Sequence, residues 1–253
     1  MRAGARYLLG GVLLLALFML ARAPAALLPS LLPDQAAITL TGARGLLWSG
    51  QGTLGVSHGN ASGAFGGYEL GRVAWRVAPA ALLRGEFGLD LQWLDQGQTL
   101  SGELRVGIAR YRLEVNGNLD AAGLRVLLEP YHIWIGGDLD FHRVTLSAAH
   151  TDALPSSVLT GHIDWSGGDV RYRLTGRDHD TRAPPLQARL GPGFAASLHE
   201  TTPTELEILS GRVAADGFVS LALTRRFIQL FGLEWPGTGA PTDVVMTLEE
   251  QLF

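Results

Sequence analysis

From Ile38 onward, apolar and polar residues alternate with a period of two, and glycines interrupt the pattern at short intervals. That spacing puts one face of each segment against a core and the other in solvent, as in a half-buried strand. Residues 110–119 show it plainly: Tyr111, Leu113 and Val115 share one side, Arg110, Arg112 and Glu114 the other. Val170, Tyr172 and Leu174 repeat the pattern, as do 219–223 and 244–248. Further strands are expected at 46–57, 68–77, 87–93, 100–109, 124–129, 158–165, 186–190 and 204–213. In 138–146, Leu139 and Phe141 are followed by Val144 and Leu146, and the phase slip at His142 and Arg143 predicts a bulge. Asn116-Gly117-Asn118 and 120–123 carry turn chemistry. Two short helices are expected, 80–84 after Pro79 and 224–231 with Thr224 as its cap. Roughly a dozen strands at this spacing make an all-β antiparallel meander, a curled sheet or a sandwich, as one continuous domain over 38–253.

The opening of the chain has a different pattern. Residues 7–21 (YLLGGVLLLALFMLA) are apolar, Arg2 and Arg6 precede them, and no acidic residue occurs before Asp34. The positive-inside rule keeps such an N-terminus in the cytoplasm. The expectation is a cytoplasmic tail at 1–6, one transmembrane anchor at 7–23, a juxtamembrane segment at 24–37, and the β-rich bulk beyond the membrane. Pro24, Pro29 and Pro33 limit 24–37 to a turn or short helix. As a helix, 7–21 is about 22 Å long, against a hydrocarbon core of about 30 Å. A cleaved signal peptide is the competing reading, because Ala23-Pro24-Ala25 followed by Ala26 is a permissible small-x-small site. Apolar residues continuing through Leu27, Leu28, Leu31 and Leu32 favour retention.

Composition removes several kinds of chemistry. There is no cysteine, which excludes disulfides, thiol catalysis and Cys-ligated zinc. All 20 basic residues are Arg, so Schiff-base and P-loop lysines are excluded as well. A net charge of −4 does not suit nucleic acid. The 7 histidines make no H-x-H or H-E-x-x-H spacing. Asp178-His179-Asp180, among Arg177, Thr181 and Arg182, reads as a solvated loop. Ser49, Ser101 and Ser166 lack a G-x-S-x-G context, and Gly63 to Gly67 reads as a hairpin turn. Asp138 with Asp140, and Glu249 with Glu250, read as surface charges. No catalytic residue, metal ligand or cofactor is expected, and the chain does not read as an enzyme.

One stretch is more specific. Leu40-Thr41-Gly42-Ala43-Arg44-Gly45-Leu46-Leu47-Trp48-Ser49-Gly50 has the form L-x-G-x-x-G-x-x-W-S-G. Leu70, Val73, Trp75, Pro79, Leu82, Leu83 and Gly85 follow it in a second spaced pattern. Together, downstream of an apolar segment, these resemble the type II secretion system protein N family. The resemblance implies an inner-membrane protein with a single span and its bulk in the periplasm. It also implies partners among the other inner-membrane secretion components and the outer-membrane secretin, for export of folded periplasmic proteins. No catalytic residues come with it, so Gly45, Trp48, Ser49, Gly50, Trp75, Pro79 and Gly85 are expected to be structural, with Trp48 anchoring a sheet face. An anchored meander also resembles periplasmic lipid-transfer proteins of the AsmA kind, in which an apolar groove holds acyl chains.

Overall fold

The computed structural model describes the chain except residues 1, 32–37, 60–64, 95–97, 150–156, 175, 202–203, 215–217, 233–235, 237 and 252–253. The expected turn at 63–67 lies partly outside these described residues. The protein is all-β, as the alternation predicts, and it divides into two compact units, Met1–Val77 and Ala78–Phe253.

In the first unit, helix α1 (Arg2–Ala21) leads through a 3₁₀ turn (Ala25–Leu27) and α2 (Leu28–Leu31) into three antiparallel strands. These are β1 (Ile38–Leu46), β2 (Ser49–Gly59) and β3 (Phe65–Val77). Along β3, Val73, Trp75 and Val77 are buried at every second position and form the unit's core. The chain leaving α1 is part of this unit. Ala23 and Ala25 are buried, Leu47 N–H donates to the Ala23 carbonyl at 2.8 Å, and Pro24 bridges to Leu46. The apolar side chains of α1 between Val12 and Leu20 are exposed. Among the described residues no helix is long and apolar enough to cross a membrane, so the expected span at 7–23 is not shown.

The second unit begins with α3 (Pro79–Leu82), β4 (Phe87–Trp93), β5 (Ser101–Val106) and β6 (Arg110–Asp120). A 3₁₀ turn (Ala121–Leu124), α4 (Arg125–Leu128) and a second 3₁₀ turn (Glu129–Tyr131) carry the chain to β7 (Ile133–Ile135). There follow β8 (Asp138–Ala149), β9 (Val158–Trp165), β10 (Gly168–Leu174), β11 (Arg177–Ala183), β12 (Leu186–Gly191) and β13 (Ala195–Glu200). The chain ends with β14 (Leu206–Val213), β15 (Phe218–Thr224), α5 (Arg225–Leu230) and β16 (Val244–Gln251). A large antiparallel sheet has the order β4-β5-β6-β8-β9-β12-β13-β14-β15-β16, and a small one the order β11-β10-β7. The small sheet is made of excursions: β7 lies between β6 and β8 in sequence, and the β10–β11 hairpin between β9 and β12. Both excursions return, so β6 still pairs with β8 and β9 with β12. Ile135 of the small sheet packs on a core of Leu119, Ala121 and Leu139, together with Phe141, Ile163 and Trp165.

Three local expectations are corrected. Residues 124–129 are helical rather than a strand, because Asp120 accepts the Ala122 N–H at 2.9 Å and starts a coil around fully buried Ala121. Asn116-Gly117-Asn118 is no turn but lies within β6, where Asn116 faces the extra residue of β8, Gly117 has φ +119° and Asn116 Oδ1 takes the Arg143 N–H at 2.7 Å. Asp178-His179-Asp180 lies in β11, not in a loop. The bulge expected at His142 and Arg143 is present, with Arg143 at φ +47° and the register with β9 shifting between His142 and Thr145.

Candidate functional site

In the second unit, the inward side chains of the large sheet and those of the small sheet do not meet everywhere. Leu139, Phe141, Ile163, Trp165 and Leu186 on one side, and Ile133, Ile135, Val170 and Tyr172 on the other, line an apolar cavity of about 610 Å³. Phe227, Leu230 and Phe231, on α5 and just past its end, close one side. Native interiors hold few voids larger than a water molecule, and this volume lies in the range of small-molecule sites.

Polar contacts hold α5 in place. The Tyr172 hydroxyl donates to the Phe231 carbonyl at 2.7 Å, and the Thr181 hydroxyl to the Leu230 carbonyl at 3.2 Å. Burial pushes the Tyr172 phenol above its ordinary range. The Phe231 ring meets Tyr172 edge-on at 5.2 Å, and His179 stacks on Tyr172 at 5.1 Å. At the start of α5, Thr224 sits at the cap position, but its hydroxyl donates to the Ile208 carbonyl of β14 at 3.0 Å rather than capping. Arg226 forms a two-pronged pair with Glu200 of β13, at 2.7 and 2.9 Å, and the hydrogen bond to that carboxylate raises the guanidinium's pKa. Glu200 is 3% exposed. Neither Glu200 nor Arg226 stands out in the sequence, where each looks like an ordinary surface charge. On the small sheet, Arg171 pairs with Asp180 and Arg173 with Asp178, both at 2.7 Å. The Arg173 hydrogen bond holds the Asp178 carboxyl below the usual carboxylate range.

The motif residues gather at the β1–β2 turn of the first unit. Gly45 has φ +100°, and a Cβ there would stand 2.8 Å from the Ser49 carbonyl oxygen, so only glycine suits the turn. At Gly50 a Cβ would stand 2.5 Å from the Arg44 oxygen and 2.6 Å from Trp75 Cζ2. Gly50 thus makes room for the Trp75 indole, which is buried and donates from Nε1 to the Leu47 carbonyl at 3.1 Å. Trp48 is half-buried in the turn itself, and its Nε1 donates to the Leu20 carbonyl at the end of α1, at 2.8 Å. The sheet-face anchor is therefore Trp75, and Trp48 ties the turn to α1. Ser49 is exposed at the start of β2. In the second unit, Pro79 opens α3 and Gly85, at φ +73°, lies in the turn that leaves it. Gly50→Ala is expected to cost about 1–3 kcal/mol by overpacking, read as a lower urea midpoint for the first unit; an unchanged midpoint would contradict the close Gly50–Trp75 approach.

A family model described as type II secretion system (T2SS), protein N, matches residues 36–227. No curated protein and no solved structure matches the chain.

Proposed function

Because the chain belongs to the type II secretion system protein N family, we propose that it is a non-enzymatic, single-span inner-membrane component of that system. Its bulk lies in the periplasm and assists export of folded proteins across the outer membrane by contacting other inner-membrane components or the secretin. The family match over residues 36–227 carries this reading. Arg2 and Arg6 ahead of the apolar 7–21 support the orientation. Exposed Leu13, Leu14, Leu17 and Met19, each between 67% and 71%, support contact of α1 with lipid. Burial of Ala23 and Ala25 supports retention, since cleavage after Ala25 would remove the carbonyls that accept from Leu47 and Trp48. A contact surface is available at β16, which among the described residues pairs only with β15 and exposes Val244 and Leu248. An unpaired strand edge of this kind recruits partners by strand addition.

Exchanging residues 1–21 for an unrelated span of the same orientation tests this reading. Secretion should be largely preserved, because the α1 contact to Trp48 runs through the Leu20 backbone carbonyl, which any helix supplies. Loss of secretion with normal protein level would mean that contacts within the membrane matter instead.

The cavity favours a second reading, an anchored lipid-binding β-protein, because an apolar space of about 610 Å³ suits an acyl chain. Organic extraction of the purified full chain followed by mass spectrometry separates the two. Stoichiometric lipid supports this second reading, and its absence leaves the cavity as packing between two sheets.

A further inference from the structure

Across the large sheet from the cavity, β8 and β9 present their outward side chains. Leu139 and Phe141 of β8 and Ile163 and Trp165 of β9 point into the cavity, so strand alternation sends Asp140, His142, His162 and Asp164 to the opposite face. The register sets His142 directly opposite His162 and Asp140 opposite Asp164. The two imidazoles stack with centroids 4.6 Å apart and planes inclined by 20°. Asp164 Oδ2 lies 3.0 Å from His142 Nε2 and 3.9 Å from His162 Nε2. One ligand atom from each of the three residues falls within 4.8 Å of the other two.

We propose that His142, His162 and Asp164 form a binding site for one divalent first-row transition-metal ion of the zinc type. Two imidazole nitrogens and a carboxylate oxygen are the donor set that borderline ions such as zinc, nickel and copper prefer. Tetrahedral bonds of about 2.0–2.1 Å put neighbouring ligand atoms about 3.3 Å apart, and because the stacked rings are nearly parallel, binding requires one imidazole to turn out of the stack until both nitrogens face the ion. Solvent reaches the site, since the three side chains are 48%, 45% and 38% exposed, and water completes the coordination.

Four further features fit a built site. The Gln187 amide of β12 donates to Asp164 Oδ1 at 2.7 Å, which orients the carboxylate and leaves Oδ2 facing the imidazoles. A group behind a ligand that fixes its direction is the usual support of a metal site. Asp140 opposite Asp164 sets two like charges side by side, an unfavourable cross-strand pair that a cation offsets. Arg189 of β12, opposite His162 of β9, is held by Glu205 and by Gln187 Oε1, so its charge is already engaged. The bulge at Arg143, directly after His142, has the placement such irregularities take beside functional side chains.

Zinc titration of the full chain in detergent, followed by isothermal calorimetry, tests the site. One equivalent should bind with a dissociation constant in the micromolar range. His142→Gln and His162→Gln should each weaken binding at least tenfold, and Gln187→Ala by a smaller factor. His132→Asn, at an exposed histidine outside the cluster, should leave it unchanged. X-ray absorption on the zinc-loaded wild type reads the ligands without any variant and should show two imidazoles with oxygen neighbours. An oxygen-only shell, no saturable binding, or equal losses in His132→Asn and His142→Gln would overturn the proposal.

Discussion

Trp75→Ala is expected to cost the first unit about 3–5 kcal/mol, the range for removing a buried aromatic. Trp75 is 6% exposed, fills the space that Gly50 leaves, and binds the Leu47 carbonyl, so the substitution opens a cavity and orphans an acceptor. Trp48→Ala is expected to cost only about 1 kcal/mol, the scale of one hydrogen bond on a half-buried side chain. Urea denaturation of the two variants side by side measures the difference. Equal losses would contradict the assignment of Trp75 as the sheet anchor. The consequence for function is direct: Trp75→Ala should abolish secretion by lowering the amount of folded protein, whereas Trp48→Ala should leave the level near wild type.

The second large effect lies in the second unit. Arg226→Ala strands the Glu200 carboxylate in a buried position without its partner, at a cost of about 3 kcal/mol. That figure is the low end for broken buried pairs because the Arg226 side chain is 31% exposed, which lets water reach the stranded carboxylate. Replacing both residues, as Glu200→Leu with Arg226→Leu, should recover most of the loss, since the expense is the unpaired charge and not the missing bridge. Thermal unfolding of the single and double variants decides this. A double variant as unstable as Arg226→Ala would show that the pair itself, and the seating of α5 it provides, supplies the stability.

The strands were legible because alternation is a local signal, and β3, β6, β10 and β15 all follow it. So was the bulge, since one inserted residue shifts the phase of everything after it and Leu139-Phe141 against Val144-Leu146 records that shift. The errors came where tertiary packing overrode local chemistry. Asn116-Gly117-Asn118 has turn composition, yet it lies within β6 and accommodates the bulge of β8 opposite it. Asp178-His179-Asp180 is polar enough for a loop, but pairing opposite Arg171, Tyr172 and Arg173 makes it a strand. Residues 124–129 are apolar enough for a strand, and they coil because the chain there must leave one sheet for the other.

The candidate sites were less visible for the same reason. Motif matching could not say which tryptophan faces inward, and the expectation fell on Trp48 rather than on Trp75. The cavity depends on two excursions that fold back over the sheet they leave, and no run of residues encodes that. His142 and His162 are too far apart in sequence for any ligand spacing, and only the β8–β9 register brings them together.

A working part of the secretion apparatus is needed for folded cargo to leave the periplasm. The direct measurement is the partition of a folded secreted protein between periplasm and medium in cells with and without this chain. Loss of the chain should trap folded cargo in the periplasm, and re-expression of the full chain should return it to the medium. Unchanged secretion in its absence would contradict the account.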